Sequence, residues 1–183
     1  MTDTAIGIVG ALCLINLTLT LALARQLRRV GEIVKNRRAF APQGFAYKAG
    51  DRAPQFAATT TTGEVRTLDD AAGSRLLIAF FTAMCTSCHV QAEHLKEYAA
   101  SSAGESTKIL VVISGPATKA SEFGQEMQDT VRVAVEPPRG PTATAFKIES
   151  FPAFYLVGAD GRIEAGARTV ADLPTPKPAS ATV

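Results

Sequence analysis

The chain has 183 residues, 46% of them hydrophobic, and 19 Lys or Arg against 17 Asp or Glu, which is the size and balance of one anchored domain rather than two full ones. Its net charge of +2 is unevenly placed: residues 25–52 hold eight basic and two acidic residues, net +6, whereas 53–183 hold 11 and 14, net −3. No basic face with interleaved aromatics follows in the body of the chain, so nucleic acid is not among its expected partners.

Residues 1–3 form a short tip, and Thr4 to Ala24 is then an uncharged run of 21 residues bounded by Asp3 and Arg25. As a helix it would extend roughly 31 Å, enough to cross a bilayer core. A cleaved secretory signal is the rival, but Asp3 stands where a basic residue is expected, and the run is long for a signal. The expectation is a single-pass transmembrane helix at 4–24, with Cys13 in it as a small apolar residue. Residues 25–48 follow as a basic juxtamembrane segment. Leu27, Val30, Ile33 and Val34 share one helical face opposite the cations, and a Pro- and Gly-containing linker runs from Ala41 to Gly50.

A globular domain is expected over 49–173. Gln55–Thr60 and Glu64–Thr67 read as a hairpin across Thr61-Thr62-Gly63, Arg75–Thr82 as a buried strand, and Thr86–Ala100 as a helix. Lys108–Ser114 has the Val- and Ile-rich run of a strand inside a parallel sheet. Ala117–Gln128 reads as a helix, Val131–Val135 as a strand and Pro141–Lys147 as a short helix. Ala153–Val157 and Arg162–Ala167 flank Gly158-Ala159-Asp160-Gly161, a hairpin turn signal. This order predicts an α/β domain with a mixed central sheet flanked by helices. Residues 174–183, with three prolines, read as a disordered tail.

Cys85-Thr86-Ser87-Cys88 lies between the strand that ends at Thr82 and the helix that follows. Two thiols three residues apart at a helix start can close a disulfide within one turn, and the helix N-terminus favours the first sulfur as a thiolate. Cys85 is therefore the candidate nucleophile. A zinc site would need a second ligand pair, and Cys13, His89 and His94 do not supply one, so no metal is expected. Two other chemistries share these residues. Cys85 to His89 satisfies the CxxCH of covalent haem attachment, although here it follows a strand, and Thr82 to Cys85 is the TxxC half of a thiol peroxidase signature whose other half needs proline at Ile78.

Four blocks in order resemble the thioredoxin fold, and within it the membrane-anchored TlpA-like redoxins related to the AhpC/TSA group. They are Ala49 to Phe56, Thr62 to Leu68, Phe80 to Cys88, and Phe151 to Val157 with Gly158 to Ile163. Leu23-Ala24-Arg25-Gln26-Leu27 also resembles the MauD redoxins of methylamine utilisation. The resemblance implies a thiol–disulfide oxidoreductase with no cofactor beyond its redox-active disulfide. In it, Cys85 attacks and Cys88 resolves the mixed disulfide. Pro152, preceded by Phe151, would be the cis-proline beside the pair, opening the backbone before it to a strand-like contact with the substrate chain. Thr82, Met84, Thr86 and Ser87 would be the neighbours that tune the thiols. The implied partners are protein thiols or disulfides and a membrane-bound electron donor or acceptor.

This chain also departs from the pattern. Tryptophan is usual at Phe81 and Met84, and a carboxylate at Ala79 or Gln91 commonly moves the proton of the resolving thiol; Glu93 or His89 is left for that task. Thr86-Ser87 carries neither the proline of reductants nor the histidine of strong oxidants. The helix expected after the last hairpin is nearly absent, which predicts an uncovered sheet face met by a partner, the membrane or another copy. The resemblance places the domain outside the cytoplasm, whereas the basic residues after Ala24 argue for the reverse.

Overall fold

A computed structural model describes residues 44–174, together with Asn16, which is helical. The tip, the proposed transmembrane helix, the juxtamembrane stretch up to residue 43 and the tail from 175 lie outside the described residues. No helix among the described residues is long and apolar enough to cross a membrane.

The elements run β1 (Ala57–Thr59), β2 (Val65–Thr67), a 3-10 turn (Leu68–Ala71), β3 (Arg75–Thr82), α1 (Thr86–Ala99), α2 (Ser102–Glu105), β4 (Thr107–Ser114), α3 (Ala117–Gln125), β5 (Arg132–Glu136), α4 (Pro141–Ala145), β6 (Ala153–Val157), β7 (Ile163–Ala167) and a second 3-10 turn (Val170–Asp172). β1 and β2 form the expected hairpin, and the other strands form one sheet in the order β5-β4-β3-β6-β7. β3, β4 and β5 are parallel, while β6 runs antiparallel to both of its neighbours, β3 and β7. Register sets Thr82 opposite Ser114 and Ser114 opposite Glu136, so three strands end level at one edge, where crossover loops leave a crevice.

Alternation along β3 divides the core. Leu77, Ala79 and Phe81 face α1 and α3, whose Cys88, Ala92, Leu95, Ala120 and Phe123 cover them. Leu76, Ile78 and Phe80 face the opposite layer, in which Phe146 after α4 packs against Phe56, Phe80, Tyr47 and Tyr155. Burying each such ring contributes about 2–3 kcal/mol. Phe45 and Tyr47 belong to this layer, so the chain enters the core inside the segment read as linker. Their aromatic rings were the available signal.

Three expectations are refined. Helix α3 stops at Gln125 rather than Gln128, with Met127 folding back to bury its side chain. The turn at Leu68–Ala71 and the single-turn α2 are additions; the first is held by a capping box in which Thr67 accepts from the Asp69 amide and Asp70 accepts from the Thr67 amide. The uncovered sheet face is corrected. Val170 and Leu173 close it, Phe154 and Leu156 beneath them are fully buried, and the large exposed hydrophobic residues described are Val65, Met84 and Val90. A whole helix is unnecessary because β7 turns only Ala165 and Ala167 toward this face, which leave little side chain to cover, while Gly166 meets Phe45 on the other. The short turn is pinned by the Val170 amide donating to Gln91 Oε1 at 2.9 Å.

Candidate redox site

Strand β3 delivers the chain from the middle of the sheet to the crevice edge, where a turn closes with the Cys85 amide donating to the Thr82 carbonyl at 3.2 Å. Cys85 is the N-cap of α1, with extended backbone, and the Cys88 amide donates back to its carbonyl at 2.9 Å. The N-cap is where the orphan amides of a first helical turn converge. Nothing in the first turn of α1 is acidic, so no fixed negative charge opposes a thiolate there.

The two sulfurs stand in different surroundings. Both are free thiols; Cys85 is half-buried and Cys88 is fully buried against the core. Burial by itself raises the Cys85 pKa. The Cys88 thiol, the Cys88 and Ser87 amides and the Ser87 hydroxyl outweigh it, and the net shift is downward from the ordinary thiol value. The thiol closes no capping bond of its own, so this stabilisation acts on the thiolate. Burial pushes Cys88 up to about 12; the Thr82 amide opposes this, while the hydrogen bond to Cys85 and its charge add to it.

The Phe151–Pro152 peptide is cis, as the family resemblance implied. Phe151 is half-buried and packs against both core layers, whereas Pro152 is buried. Met84, 65% exposed, and Phe151 line a groove of about 600 Å³ that also reaches Thr82, Ser114 and Ile148. Thr86 and Ser87 sit in the first turn of α1. The structure therefore brings Thr82, Met84 and Phe151 to one crevice, with the cysteine pair on the turn beside Met84.

The residues left to move the Cys88 proton are engaged elsewhere. His89 stacks on Phe123 with ring centroids 4.0 Å apart, and its Nε2 lies 3.3 Å from the Ala83 carbonyl. Glu93 pairs with Lys96, and Gln91 holds the C-terminal turn. No group of His, Cys, Asp or Glu side chains among the described residues is arranged to hold a metal ion.

The sequence carried no signal for Arg168. Its guanidinium donates to the carbonyls of Ser150 at 2.6 Å and Pro152 at 3.1 Å, tying the proline loop to the end of β7, and stacks 4.9 Å over the Phe45 ring. Eighteen residues of chain separate donor and acceptor, so only the antiparallel pairing of β6 with β7 brings them together.

Residues 49–165 match the AhpC/TSA family. The chain belongs to the AhpC/TSA family. No curated relative matches the sequence. Among solved structures, the fold is similar to the thioredoxin domain of a thiol-disulfide oxidoreductase from Bacteroides vulgatus, with a TM-score of 0.60 at 19% identity, covering 70% of this chain and 94% of that one. It is also similar to a protein assigned as the thiol:disulfide interchange protein DsbE of Chlorobium tepidum, with a TM-score of 0.59 at 23% identity over 66% and 85%. A secreted Mycobacterium tuberculosis disulfide oxidoreductase, homologous to Escherichia coli DsbE, gives a TM-score of 0.54 at 21% identity over 63% and 84%. At these identities the likeness establishes a thioredoxin-like fold for this family member.

Proposed function

We propose that this chain is a membrane-anchored thiol–disulfide oxidoreductase that exchanges disulfides with protein partners through Cys85 and Cys88. The asymmetry of the pair carries the reading: a reachable thiol with lowered pKa at a helix N-cap beside a buried thiol raised to about 12. The first is suited to attack, and the second to wait until a mixed disulfide forms beside it. The AhpC/TSA membership and the thioredoxin-like fold support it.

In the reducing direction, the Cys85 thiolate attacks one sulfur of a partner disulfide, and that bond breaks with its electron pair leaving on the partner's second sulfur. Cys88 then loses its proton and attacks Cys85 in the mixed disulfide. The partner departs as a dithiol, and the pair is left oxidised by two electrons. A membrane-bound donor returns those electrons; with an acceptor instead, the steps reverse. The apolar run at 4–24 supports the anchoring, and Leu23 to Leu27 a MauD-like setting in which the partner enzyme acquires its disulfides.

Reduction of a protein disulfide such as insulin should vanish in Cys85→Ser, while Cys88→Ser should accumulate a mixed disulfide with the substrate. Full activity in Cys85→Ser would overturn the reading. Peroxide consumption that survives Cys88→Ser would favour the thiol peroxidase chemistry written in Thr82 to Cys85, and a haem absorption band in the purified protein would favour covalent haem binding.

A further inference from the structure

Two of the residues that line the groove beside the cysteine pair are left-handed and are not glycine. Arg139 (φ 57°) stands at the third position of the Pro137-Pro138-Arg139-Gly140 turn, closed by the Gly140 amide donating to the Pro137 carbonyl at 2.9 Å. Lys147 (φ 52°) follows α4, where the Ile148 amide donates to the Ala143 carbonyl at 2.9 Å, the closing bond of a Schellman motif. Both positions favour glycine, and a long side chain there strains the backbone. Such strain recurs where a binding surface requires a particular side chain.

Both of these residues line the same groove and are exposed, and neither enters an ion pair among the described residues. Lys147 Nζ lies 5.7 Å over the Tyr47 ring, which steadies it without neutralising it. Glu149 is the one acid on the lining, so cations outnumber it in a domain whose residues 53–183 are net −3. At the inner wall, Ser114 is 3% exposed, and its hydroxyl has no hydrogen-bond partner. Met84 and Phe151 supply apolar surface at the end nearest the cysteines.

We infer that this groove binds an acidic segment of the partner protein, next to the partner's reactive cysteine, with Arg139 and Lys147 taking its carboxylates while Met84 and Phe151 pack its apolar side chains. The inference rests on the disulfide-exchange reading and names the substrate class of that site. A groove of about 600 Å³ has room for several side chains and lies within the range of binding clefts. Opposite charges at its rim act chiefly on encounter rate and on the choice between partners.

The test uses the full-length protein in its reduced form and short peptides closed by one disulfide and flanked by Asp, Asn or Lys. Single-turnover reduction is measured at low and high salt. The Asp-flanked peptide should react about tenfold faster than the Asn-flanked one at low salt, as two exposed ion pairs allow, and salt should erode the ratio. Arg139→Glu with Lys147→Glu should invert the ratio. Arg139→Gly with Lys147→Gly, which relieves both left-handed positions, should abolish the ratio while raising thermal stability. Equal rates for Asp and Asn peptides, or a preference that survives both double variants, would overturn the inference and leave Cys85-dependent reduction standing. Reduction of the Asn peptide by Cys85→Ser would instead overturn the disulfide-exchange reading. Glutathione disulfide reduced as fast as the Asp peptide, with the same dependence on Arg139 and Lys147, would assign the groove to a small acidic disulfide and also refute the partner-segment occupant.

Discussion

Iodoacetamide should separate the two thiols of the reduced protein by about three orders of magnitude, because it alkylates thiolates. At pH 8 a thiol held at about 12 is ionised to roughly one part in 10⁴. A thiol at 9.0, the ordinary value from which Cys85 is lowered, is about a tenth ionised at the same pH. The ratio of thiolate fractions is therefore at least ~10³ before access is considered. The full burial of Cys88 only widens it. The assay is timed alkylation of the dithiol form, followed by mass spectrometry of the peptides that carry Cys85 and Cys88. Rates within tenfold of each other would refute the reasoning, since neither the N-cap nor the burial would then be acting on the sulfurs as described.

The same asymmetry has a pH signature in stability. A thiol whose pKa is raised on folding holds its proton in the native state while the unfolded chain releases it, so stability falls as pH climbs from the ordinary thiol range toward 12. Between pH 8.5 and 10.5 the dithiol protein should lose about 2 kcal/mol relative to Cys88→Ser in denaturant melts, and parallel curves would contradict the burial of that proton. Arg168→Ala removes two hydrogen bonds that hold the proline loop and should cost about 1.5–3 kcal/mol. It should also slow insulin reduction, with Arg168→Lys intermediate, and wild-type stability in the alanine variant would show the loop is held by other contacts. A reporter fused at the C-terminus should be active only when exported, placing the redox domain outside the cytoplasm. Activity on the cytoplasmic side alone would assign the orientation favoured by the basic residues 25–38.

Much of the fold could be read from local pattern because local pattern is what forms it. The apolar runs at Arg75–Thr82 and Lys108–Ser114 are strands buried on both faces, and their composition announces that burial directly. The cysteine pair and its place at a helix start were legible for the same reason, since they form one short contiguous motif, whereas the cis-proline was implied only by the family resemblance. The bare sheet face was misjudged because covering it depends on how small the β7 side chains are where they meet Val170 and Leu173, a property of the packed sheet.

The amino-acid pattern alone carried the order of the main elements, a CxxC pair at a helix start and the uncharged run at 4–24. Only the tertiary structure decided that Cys88 is sealed while Cys85 is reachable, and that Arg168 reaches back to the proline loop. It likewise decided that Arg139, Lys147 and Ser114 meet at one groove. The physical reason is sequence separation. Burial, pKa and charge complementarity arise among groups that register and crossover connections bring together, and no window along the chain contains them.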